Sequence, residues 1–413
     1  MRHFLTFICA AALLMSCHKH ESETPAPEPA KADRTVIVYM SGDNNLSSYS
    51  FPQYDISEMI EGMKNVTGNN NLVIFVDRIN STEKPFIAKV TNQTSAPVDT
   101  LYRYASDFYV SDVNNMSEVL KRIASLCPAK EYGLVLWGHA SGWIFEPNST
   151  SAPRRAYGVD NGGEPNNYSN RGLWMQIPEL RNALAQTGIT WKFLFCDCCN
   201  MMGTEVAYEL RDVAEYLIGA PSEIPGDGAP YNTAMPHFFS TSATFYEGII
   251  DAYAKANPNY LPLSAIKLDQ MEALVQATQQ VLPLVATYLQ QQDAMQEIIY
   301  YYAPNGRYND NYKIMYDVHH VMQTALSAYP DAYDQWLAAF NNAVKFSAKA
   351  LHWETMNNNT VNFNDFATAT TENQGCVSMF FPMAKYDNTT YRFNQSIKQM
   401  QWYQAVGWSE VGW

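Results

Sequence analysis

The sequence has little positive charge, and this shortage limits the partners that the protein can have. Its 413 residues contain 27 Lys and Arg against 41 Asp and Glu, which gives a net charge of −14 at pH 7. Because nucleic-acid binding needs a basic face that neutralises phosphates, we expect no nucleic-acid partner. A solvated acidic surface is the simplest explanation of the charge.

The N-terminus lacks an apolar run long enough for a permanent membrane span. The apolar stretch at 4–15 is shorter than the roughly 20 residues that cross a bilayer. We interpret residues 1–16 as a signal peptide. The stretch ends in LMSC, residues 14–17, which is similar to a bacterial lipobox, so we predict an exported lipoprotein held in the membrane by acylated Cys17. Its place would be the cell envelope, at the outer membrane or cell surface. The alternative is an ordinary signal peptide followed by a chance cysteine.

Cysteines are few, and their spacing argues against a disulfide framework. Cys9 would leave with the signal peptide and Cys17 would carry the lipid. The remainder are Cys127, Cys196, Cys198, Cys199 and Cys376. An odd number in an exported chain indicates at least one free thiol. Adjacent cysteines seldom pair with each other, so the group at 196–199 is not expected to form a disulfide.

Apolar runs alternate with helical patterns once the Pro-rich stretch at 17–33 has ended. That stretch is predicted to be a flexible tether. Buried strands are predicted at 35–40, 72–76, 132–137, 191–196 and 216–220, and helices at 55–64, 117–126, 177–186 and 203–213. The strands are apolar nearly throughout, as parallel strands covered on both faces are. This alternation predicts an α/β sandwich with a mostly parallel central sheet.

Two later segments differ in texture from this pattern. Residues 146–171 are rich in Pro, Asn, Gly and Ser and are predicted to be a long functional loop. From about residue 259 the chain is mainly helical, with helical blocks at 269–292 and 314–352 and one strand at 376–381. We therefore predict a main domain over 34–258 and a C-terminal helical domain or cap over 259–413.

The residues that suggest chemistry follow two of the predicted strands. The strand at 132–137 is followed by GHASG, residues 138–142, and the strand at 191–196 by DCC, residues 197–199. The carboxyl ends of parallel strands meet at one edge of a sheet, where open α/β sheets bind their ligands. A helix N-terminus after the cysteines would favour thiolate over thiol. Taken alone, His139 is explained equally well as an ordinary loop histidine.

The combination of motifs is more specific than any one of them. The motifs are VYMSGDNNL at 38–46, WGH at 137–139, DCCNM at 197–201, EVAYEL at 205–210, SE at 222–223, PGDG at 225–228, Tyr231 and FFP at 380–382. In this order they resemble the clostripain-like cysteine peptidases, from about Arg34 to the C-terminus. The resemblance implies a caspase-like αβα sandwich and a cysteine endopeptidase that acts on proteins or peptides.

The resemblance also implies roles for individual residues. The D-x-C motif makes Cys199 the nucleophile, with His139 as its partner in a dyad, and leaves Cys198 as a small buried residue. The backbone amides of Ala140 and Cys199 would hold the oxyanion. Clostripain-like enzymes favour Arg or Lys before the scissile bond, and Asp197, with Glu223 as a second candidate, would bind that basic side chain.

Activation, cofactors and assembly are implied less directly. Many relatives are zymogens that are cut between the histidine and the cysteine, and Arg154 and Arg155 are the candidate processing residues in the 146–171 loop. We predict no cofactor and no metal site, because no oxygen-ligand loop is recognisable. The resemblance leaves calcium dependence open, since it is known within the family and the acidic and Asn-rich turns could bind the ion. We expect a monomer.

Two alternatives to a cysteine peptidase remain open. Cys196, Cys198 and Cys199 could bind a metal with a histidine, although adjacent cysteines fit zinc spacing poorly. The chain could also be a catalytically silent surface lipoprotein that binds proteins or glycans on the same fold. The presence of both His139 and Cys199 favours the enzyme.

Overall fold

Short strands and helices alternate through most of the chain in the computed structural model, which describes residues 31–79, 83–93, 95–144, 156–163, 172–303, 312–355, 359–387 and 392–413. The proposed lipidation residue Cys17 and the proposed processing residues Arg154 and Arg155 lie outside these ranges. Within them, no helix is both long and apolar enough to cross a membrane.

The strands are β1 Ala32–Gly42, β2 Asn70–Arg78, β3 Phe86–Val90, β4 Val98–Arg103, β5 Ala129–Trp137, β6 Tyr157–Asp160, β7 Leu173–Met175, β8 Phe193–Asp197, β9 Tyr216–Gly219, β10 Leu263–Lys267, β11 Tyr300–Tyr302, β12 Ile314–Asp317, β13 Val344–Ala348, β14 His352–Thr355, β15 Asn359–Asn362 and β16 Ser378–Met379. The helices are α1 Phe51–Met63, α2 Val113–Leu126, α3 Ile177–Gln186, α4 Thr204–Glu209, α5 Tyr231–Phe238, α6 Phe245–Ala256, α7 Met271–Leu289, α8 Val318–Ala325, α9 Pro330–Ala343, α10 Phe393–Ser396 and α11 Gln401–Val406.

One nine-stranded sheet organises the fold, in the order β13-β10-β9-β8-β5-β1-β2-β3-β4. Its middle five strands, β9 to β2 in this order, are parallel to one another. Antiparallel pairs extend the sheet on both sides. The five strands predicted from apolar runs are these parallel ones, which confirms the mostly parallel core of the sheet.

Side chains alternate between two apolar layers because successive residues of a strand face opposite sides of a sheet. In β1, Ile37 and Tyr39 join the layer that holds α2, α3 and α7, whereas Val36 and Val38 join the layer that holds α1, α5 and α6. The sheet is therefore buried on both faces, and the predicted αβα sandwich is confirmed.

Some predicted elements differ from the structure in extent. The helix predicted at 203–213 is only α4, and the helical block predicted at 314–352 begins with β12 and ends with β13. The strand predicted at 376–381 is reduced to β16, because Cys376 has φ of 55°, outside the range of a regular strand. Part of the loop predicted at 146–171 is β6, which pairs with β7.

The C-terminal segment is joined to the central sheet by strand pairing. Its strand β10 pairs with β9, and β13 pairs with β10. Residues Lys31–Trp413 form one compact unit. A division of this unit at residue 258 stays a prediction, since the helices of the segment and two of its strands complete layers that the preceding residues begin.

Candidate active site

The loops that carry His139 and Cys199 leave two adjacent parallel strands at the same level. Strand β5 pairs with β8 in parallel, with Trp137 opposite Asp197. His139 and Cys199 each stand two residues beyond this pair. The amide of Gly138 donates to the carbonyl of Asp197 over 3.4 Å, so the strand pairing continues into the two loops.

The same two loops also touch further along. Gly142 has φ of 61°, and a Cβ atom there would lie 2.4 Å from the carbonyl oxygen of Asn200. Only glycine allows this approach without displacing the backbone. Asn200 itself has φ of 60°, and its amide donates to the carbonyl of Ser222 over 2.9 Å. These contacts hold the turn after Cys199 against the histidine loop.

The imidazole of His139 is oriented by Asn45. Its Nε2 lies 2.6 Å from Asn45 Oδ1, and its carbonyl accepts from the amide of Gly158 over 2.8 Å. Asn45 begins the 3₁₀ helix Asn45–Tyr49, three residues after the end of β1, which is the other neighbour of β5. The sequence alone predicts no role for Asn45, because this contact depends on β1 lying beside β5.

The neighbouring cysteines differ in burial. Cys196 and Cys198 are buried in the apolar layer, whereas Cys199 is partly exposed. These three thiols, with Cys127 and Cys376, are unpaired. Within the described ranges, these cysteines form no group of three or more ligands whose atoms lie close enough to share one metal ion.

The surroundings of Cys199 favour its neutral thiol when no substrate is bound. Burial raises the pKa of this thiol, and the nearby charge of Glu223 raises it further. The amide of Ile224, which donates to Sγ over 3.4 Å, opposes these effects. Helix α4 begins only at Thr204 and has six residues, so the predicted helix N-terminus does not directly follow Cys199.

The backbone amide of Ala140 is not used by the local strand pairing. Ala140 forms an antiparallel bridge with Tyr157. The two hydrogen bonds of that bridge come from the flanking residues, with Ser141 donating to Ala156 over 2.9 Å and Gly158 donating to His139.

Asp197 lies on the face of the sheet opposite the cysteine layer. Its carboxylate accepts from Tyr231 Oη over 2.6 Å, from the Ala229 amide over 3.0 Å and from Tyr253 Oη over 3.4 Å. Burial raises its pKa to about 6, although these donors favour the charged form. The hydroxyl groups of the two tyrosines therefore hold the Asp197 carboxylate in place.

Further carboxylates gather around Asp197. Asp55 accepts from the indole of Trp137, and Glu58 accepts from the amide of Tyr231 over 3.0 Å. Burial raises the pKa of Asp55 to about 8, and the charges of Asp197, Glu58 and Asp227 add to that rise. A set of like charges this close favours an incoming cation.

Glu223 lies apart from this group and beside Glu354. The two residues form an antiparallel bridge in which the amide of Glu223 donates to the carbonyl of Glu354 over 3.2 Å. Burial raises the pKa of Glu223 to about 7, and the charge of Glu354 acts in the same direction. Both carboxylates raise the pKa of Cys199, so both lie near the thiol.

A family model describes nearly the whole chain. The model for the clostripain family, a group of C11 peptidases, matches residues 38–413. The chain belongs to the clostripain family. The resemblance noted from the motifs is thereby confirmed, and this clostripain-family protein is a cysteine-type peptidase.

Solved structures agree with this assignment. A secreted C11 cysteine protease from Bacteroides thetaiotaomicron, in complex with an irreversible peptide inhibitor, is 26% identical with a TM-score of 0.72, over 92% of this chain and 99% of that chain. An inactive zymogen C11 protease from Parabacteroides distasonis is 22% identical with a TM-score of 0.70, over 92% and 99%, and supports the fold. No curated protein matches the sequence significantly.

Proposed function

We propose that the protein is an endopeptidase that cleaves after Arg or Lys, with Cys199 as nucleophile and His139 as general base and acid. The observation that carries this proposal is the parallel pairing of β5 with β8, which brings the loops of these two residues to one edge of the sheet. The close contact between Gly142 and Asn200 supports it.

The reaction begins when His139 takes the thiol proton of Cys199. The sulfur forms a bond to the peptide carbonyl carbon, and the carbonyl oxygen becomes an oxyanion. The carbon–nitrogen bond then breaks, and the imidazolium returns the proton to the leaving amine. Water, deprotonated by His139, hydrolyses the thioester and restores the thiol. Since burial raises the pKa of the Cys199 thiol, an imidazole that accepts the proton is needed for the sulfur to attack.

Asn45 supports this step by selecting the tautomer of His139. With Asn45 Oδ1 as acceptor, the proton of the neutral imidazole is on Nε2, and Nδ1 is the basic nitrogen. After proton transfer, the same amide oxygen stabilises the imidazolium. Asn45 is thus a positioning residue, which acts through His139.

The oxyanion is assigned to the backbone amides of Ala140 and Cys199. The bridge to Tyr157 uses the groups that flank Ala140 and does not use the Ala140 amide. Preorganised amides of this kind commonly lower the barrier to acyl transfer by a few kcal/mol.

The preference for a basic residue is supported by the carboxylates that surround Asp197. Burial is the main cause of the raised pKa values of Asp197 and Asp55, and the charges of neighbouring carboxylates add to it, so a guanidinium or ammonium group beside Asp197 would stabilise the charged carboxylates. Asp227 adds a further carboxylate to this group. We assign Asp197 as the main specificity residue, and Glu223, on the Glu354 side of Cys199, as a second substrate contact.

Export and activation complete the proposal. The Bacteroides thetaiotaomicron relative is described as secreted, and the Parabacteroides distasonis relative as an inactive zymogen. Both descriptions suit an exported precursor. In this protein, lipid on Cys17 would hold the enzyme at the cell envelope, and cleavage at Arg154 or Arg155 would activate it.

Fluorogenic peptides that end in Arg, Lys, Asp or Leu before the reporter provide the test. We expect hydrolysis of the Arg and Lys peptides, its loss with iodoacetamide and in Cys199→Ala, and its retention in Cys198→Ala. Asp197→Asn and Asp227→Asn should reduce kcat/KM for the Arg peptide more than for the others. Activity in Cys199→Ala equal to wild type would refute the nucleophile, and equal rates for all peptides would refute only the basic preference.

A further inference from the structure

Exposed aromatic side chains gather in the segment that follows β1. Tyr49 and Tyr54 are 63% and 66% exposed, the largest values among the large hydrophobic side chains that lie exposed in the described ranges. Phe51, between them in sequence, is partly buried and packs against the apolar layer that holds α1. Scattered apolar side chains are ordinary on a surface, whereas contiguous ones mark binding sites. We call these three residues the aromatic platform.

The platform stands beside the histidine loop. Asn45, whose side chain contacts His139, and Tyr49 are the first and last residues of one 3₁₀ helix. Phe51 follows shortly afterwards as the first residue of α1. The platform is therefore at the edge of the sheet where the loops of His139 and Cys199 leave their strands.

The rings of Tyr49 and Phe51 lie against each other. Their centroids are 5.6 Å apart, and the angle between their planes is 31°. Ser50, between them, has φ of 60° and ψ of 19°, a left-handed conformation that costs free energy in a residue other than glycine. Tyr54 is three positions after Phe51 in α1, so these two side chains are neighbours on one face of the helix.

Hydrogen bonds hold the segment before the platform in place. The side chain of Asn44 donates to the carbonyls of Ser41, over 3.0 Å, and Val159, over 2.9 Å. The hydroxyl of Ser47 accepts from the amide of Ile79 over 3.3 Å. A surface that is already ordered loses little conformational freedom when a ligand binds, so more of its contact energy is expressed as affinity.

One turn, formed by residues 225–228, connects the platform with Asp197. A Cβ atom on Gly226 would lie 2.7 Å from the ring of Phe51, and one on Gly228 would lie 3.0 Å from Oδ2 of Asp197. Because both positions lack a side chain, the turn can lie close to both groups. The acidic group around Asp197 and the platform therefore contact the same four residues.

The chemistry of the platform suits a large apolar side chain. Aromatic rings offer a broad apolar surface at little cost in side-chain entropy, and a second ring can pack on them edge to face or offset. A peptide in extended form advances about 3.3 Å per residue, so the residues next to a basic one are within reach of a surface one turn away. A basic side chain is better held by the carboxylates around Asp197, which leaves the platform to an apolar neighbour.

We propose that the aromatic platform binds a large apolar side chain of the substrate, located within three positions of the basic residue. The proposal rests on the proposed function, which places the basic side chain beside Asp197. It adds a second recognition element to that site and makes Tyr49 a specificity-determining residue. The sequence alone predicts no role for Tyr49, because the contact of its neighbour Phe51 with the 225–228 turn depends on tertiary packing.

Internally quenched peptides test the platform through matched pairs. The parent peptide has Arg between three Ser residues on each side, and six variants carry one Phe in place of one Ser. With wild-type protein, we expect at least one Phe peptide to have a kcat/KM about tenfold above that of the parent, mainly through a lower KM. In Tyr49→Ser this ratio should fall below about threefold. Tyr49→Phe, which keeps the ring, should retain it.

Tyr329→Ser is the matched control. Tyr329 precedes α9 and is 49% exposed, so this variant also removes an exposed tyrosine ring. It should leave all rates at their wild-type values. Since Tyr49 is exposed, Tyr49→Ser should fold, and its Tm measures this directly. Tyr54→Ser is the second platform variant, for which we expect a fall in the same ratio.

Binding without turnover separates this proposal from the proposed function. Fluorescence anisotropy with Cys199→Ala protein, before and after limited cleavage by trypsin, measures the affinity for the labelled parent and Phe peptides. Tighter binding of a Phe peptide that wild-type protein does not hydrolyse would count against the proposed function and support the platform. Equal rates and equal affinities for all seven peptides would overturn the platform, even if cleavage after Arg continues. A ratio that is unchanged in both Tyr49→Ser and Tyr54→Ser would place the apolar subsite elsewhere and would overturn it too.

Discussion

Asn45 Oδ1 and His139 Nε2 are 2.6 Å apart, although 94 positions separate the two residues in the chain. The contact exists because β1 lies beside β5, so the turn after β1 reaches the loop after β5. With Asn45 Oδ1 as the acceptor, the proposed mechanism has the proton of the neutral imidazole on Nε2. The proposed chemistry at Cys199 thus depends on a residue from a third strand end.

Replacing Asn45 with Ala should slow the reaction with little effect on substrate binding. The lost hydrogen bond is worth about 1 kcal/mol, so we expect kcat to fall roughly fivefold to tenfold and KM to change little. The measurement is steady-state hydrolysis of an Arg peptide from pH 5 to 9.

Asn45→Asp separates positioning of His139 from general stability. A carboxylate at this place would still accept from Nε2, and its charge would raise the pKa of His139, so the acid limb of the kcat/KM profile should move to higher pH. An unshifted profile in Asn45→Asp, together with equal loss of kcat in both variants, would contradict the positioning role.

Glu223→Gln should make Cys199 more reactive towards a small alkylating agent. Burial is the first cause of the raised thiol pKa, and the charge of Glu223 is the second, so removing that charge lowers the pKa. We expect iodoacetamide to react roughly three- to tenfold faster at pH 8. Because the pKa of Glu223 is about 7, the two proteins should react alike near pH 5.5, where both side chains are neutral.

The control for this prediction is Glu372→Gln, which changes an exposed carboxylate far along the chain. It should alkylate at the wild-type rate over the whole pH range. Equal rates for wild type and Glu223→Gln at pH 8 would show that the Glu223 charge does not reach the thiol.

The stability of the protein should decline between pH 6.5 and 8. Burial raises the pKa of Asp55 to about 8 in the folded chain, above its value when unfolded. The folded state therefore binds the proton more tightly, and the free energy of unfolding falls as pH rises through this range. His319 and His320 do not cause this decline. Burial lowers their pKa values to about 4, so the stability that comes from keeping them neutral is lost only as pH falls below 6.5.

Thermal unfolding of Cys199→Ala protein, in calcium-free buffer from pH 6.5 to 8, measures this decline. Asp55→Asn keeps an acceptor for the Trp137 indole and removes the titrating group, so its Tm should vary less with pH. Between pH 6.5 and 8, the free energy of unfolding should fall by about 1–2 kcal/mol more in the parent protein than in Asp55→Asn. Parallel slopes would mean that Asp55 does not titrate in this range.

The parallel core was predictable because its strands are buried on both faces. Segments such as 72–76 are apolar at every position, and this signal does not depend on any other part of the chain. Strands β10 and β13 were missed for the opposite reason. They are five residues each, they flank helices, and β13 is only partly buried, so nothing local separates them from the helical pattern.

Only the part of the site that directly follows predicted strands could be predicted from the sequence. His139 and Cys199 follow strands that apolar runs identify, and the family motif selected Cys199 over Cys198. The places of Asn45 and Asp55 depend on strand order and on which helix covers which face. That information resides in tertiary packing, since the same runs could form a sheet in another order.

Self-processing at Arg154 or Arg155 follows if the enzyme cleaves after Arg. We expect purified wild-type protein to yield a new N-terminus at Arg155 or Ala156, and Cys199→Ala to remain intact. Arg154→Gln with Arg155→Gln should also remain intact while keeping Cys199 and His139. Trypsin, added to Cys199→Ala, is the control for access to the loop. N-terminal sequencing and the peptidase rate are followed together. Wild-type protein that is fully active while uncut would contradict activation at this loop. A double Gln variant that is cut elsewhere and becomes active would move the processing site without changing the proposed chemistry.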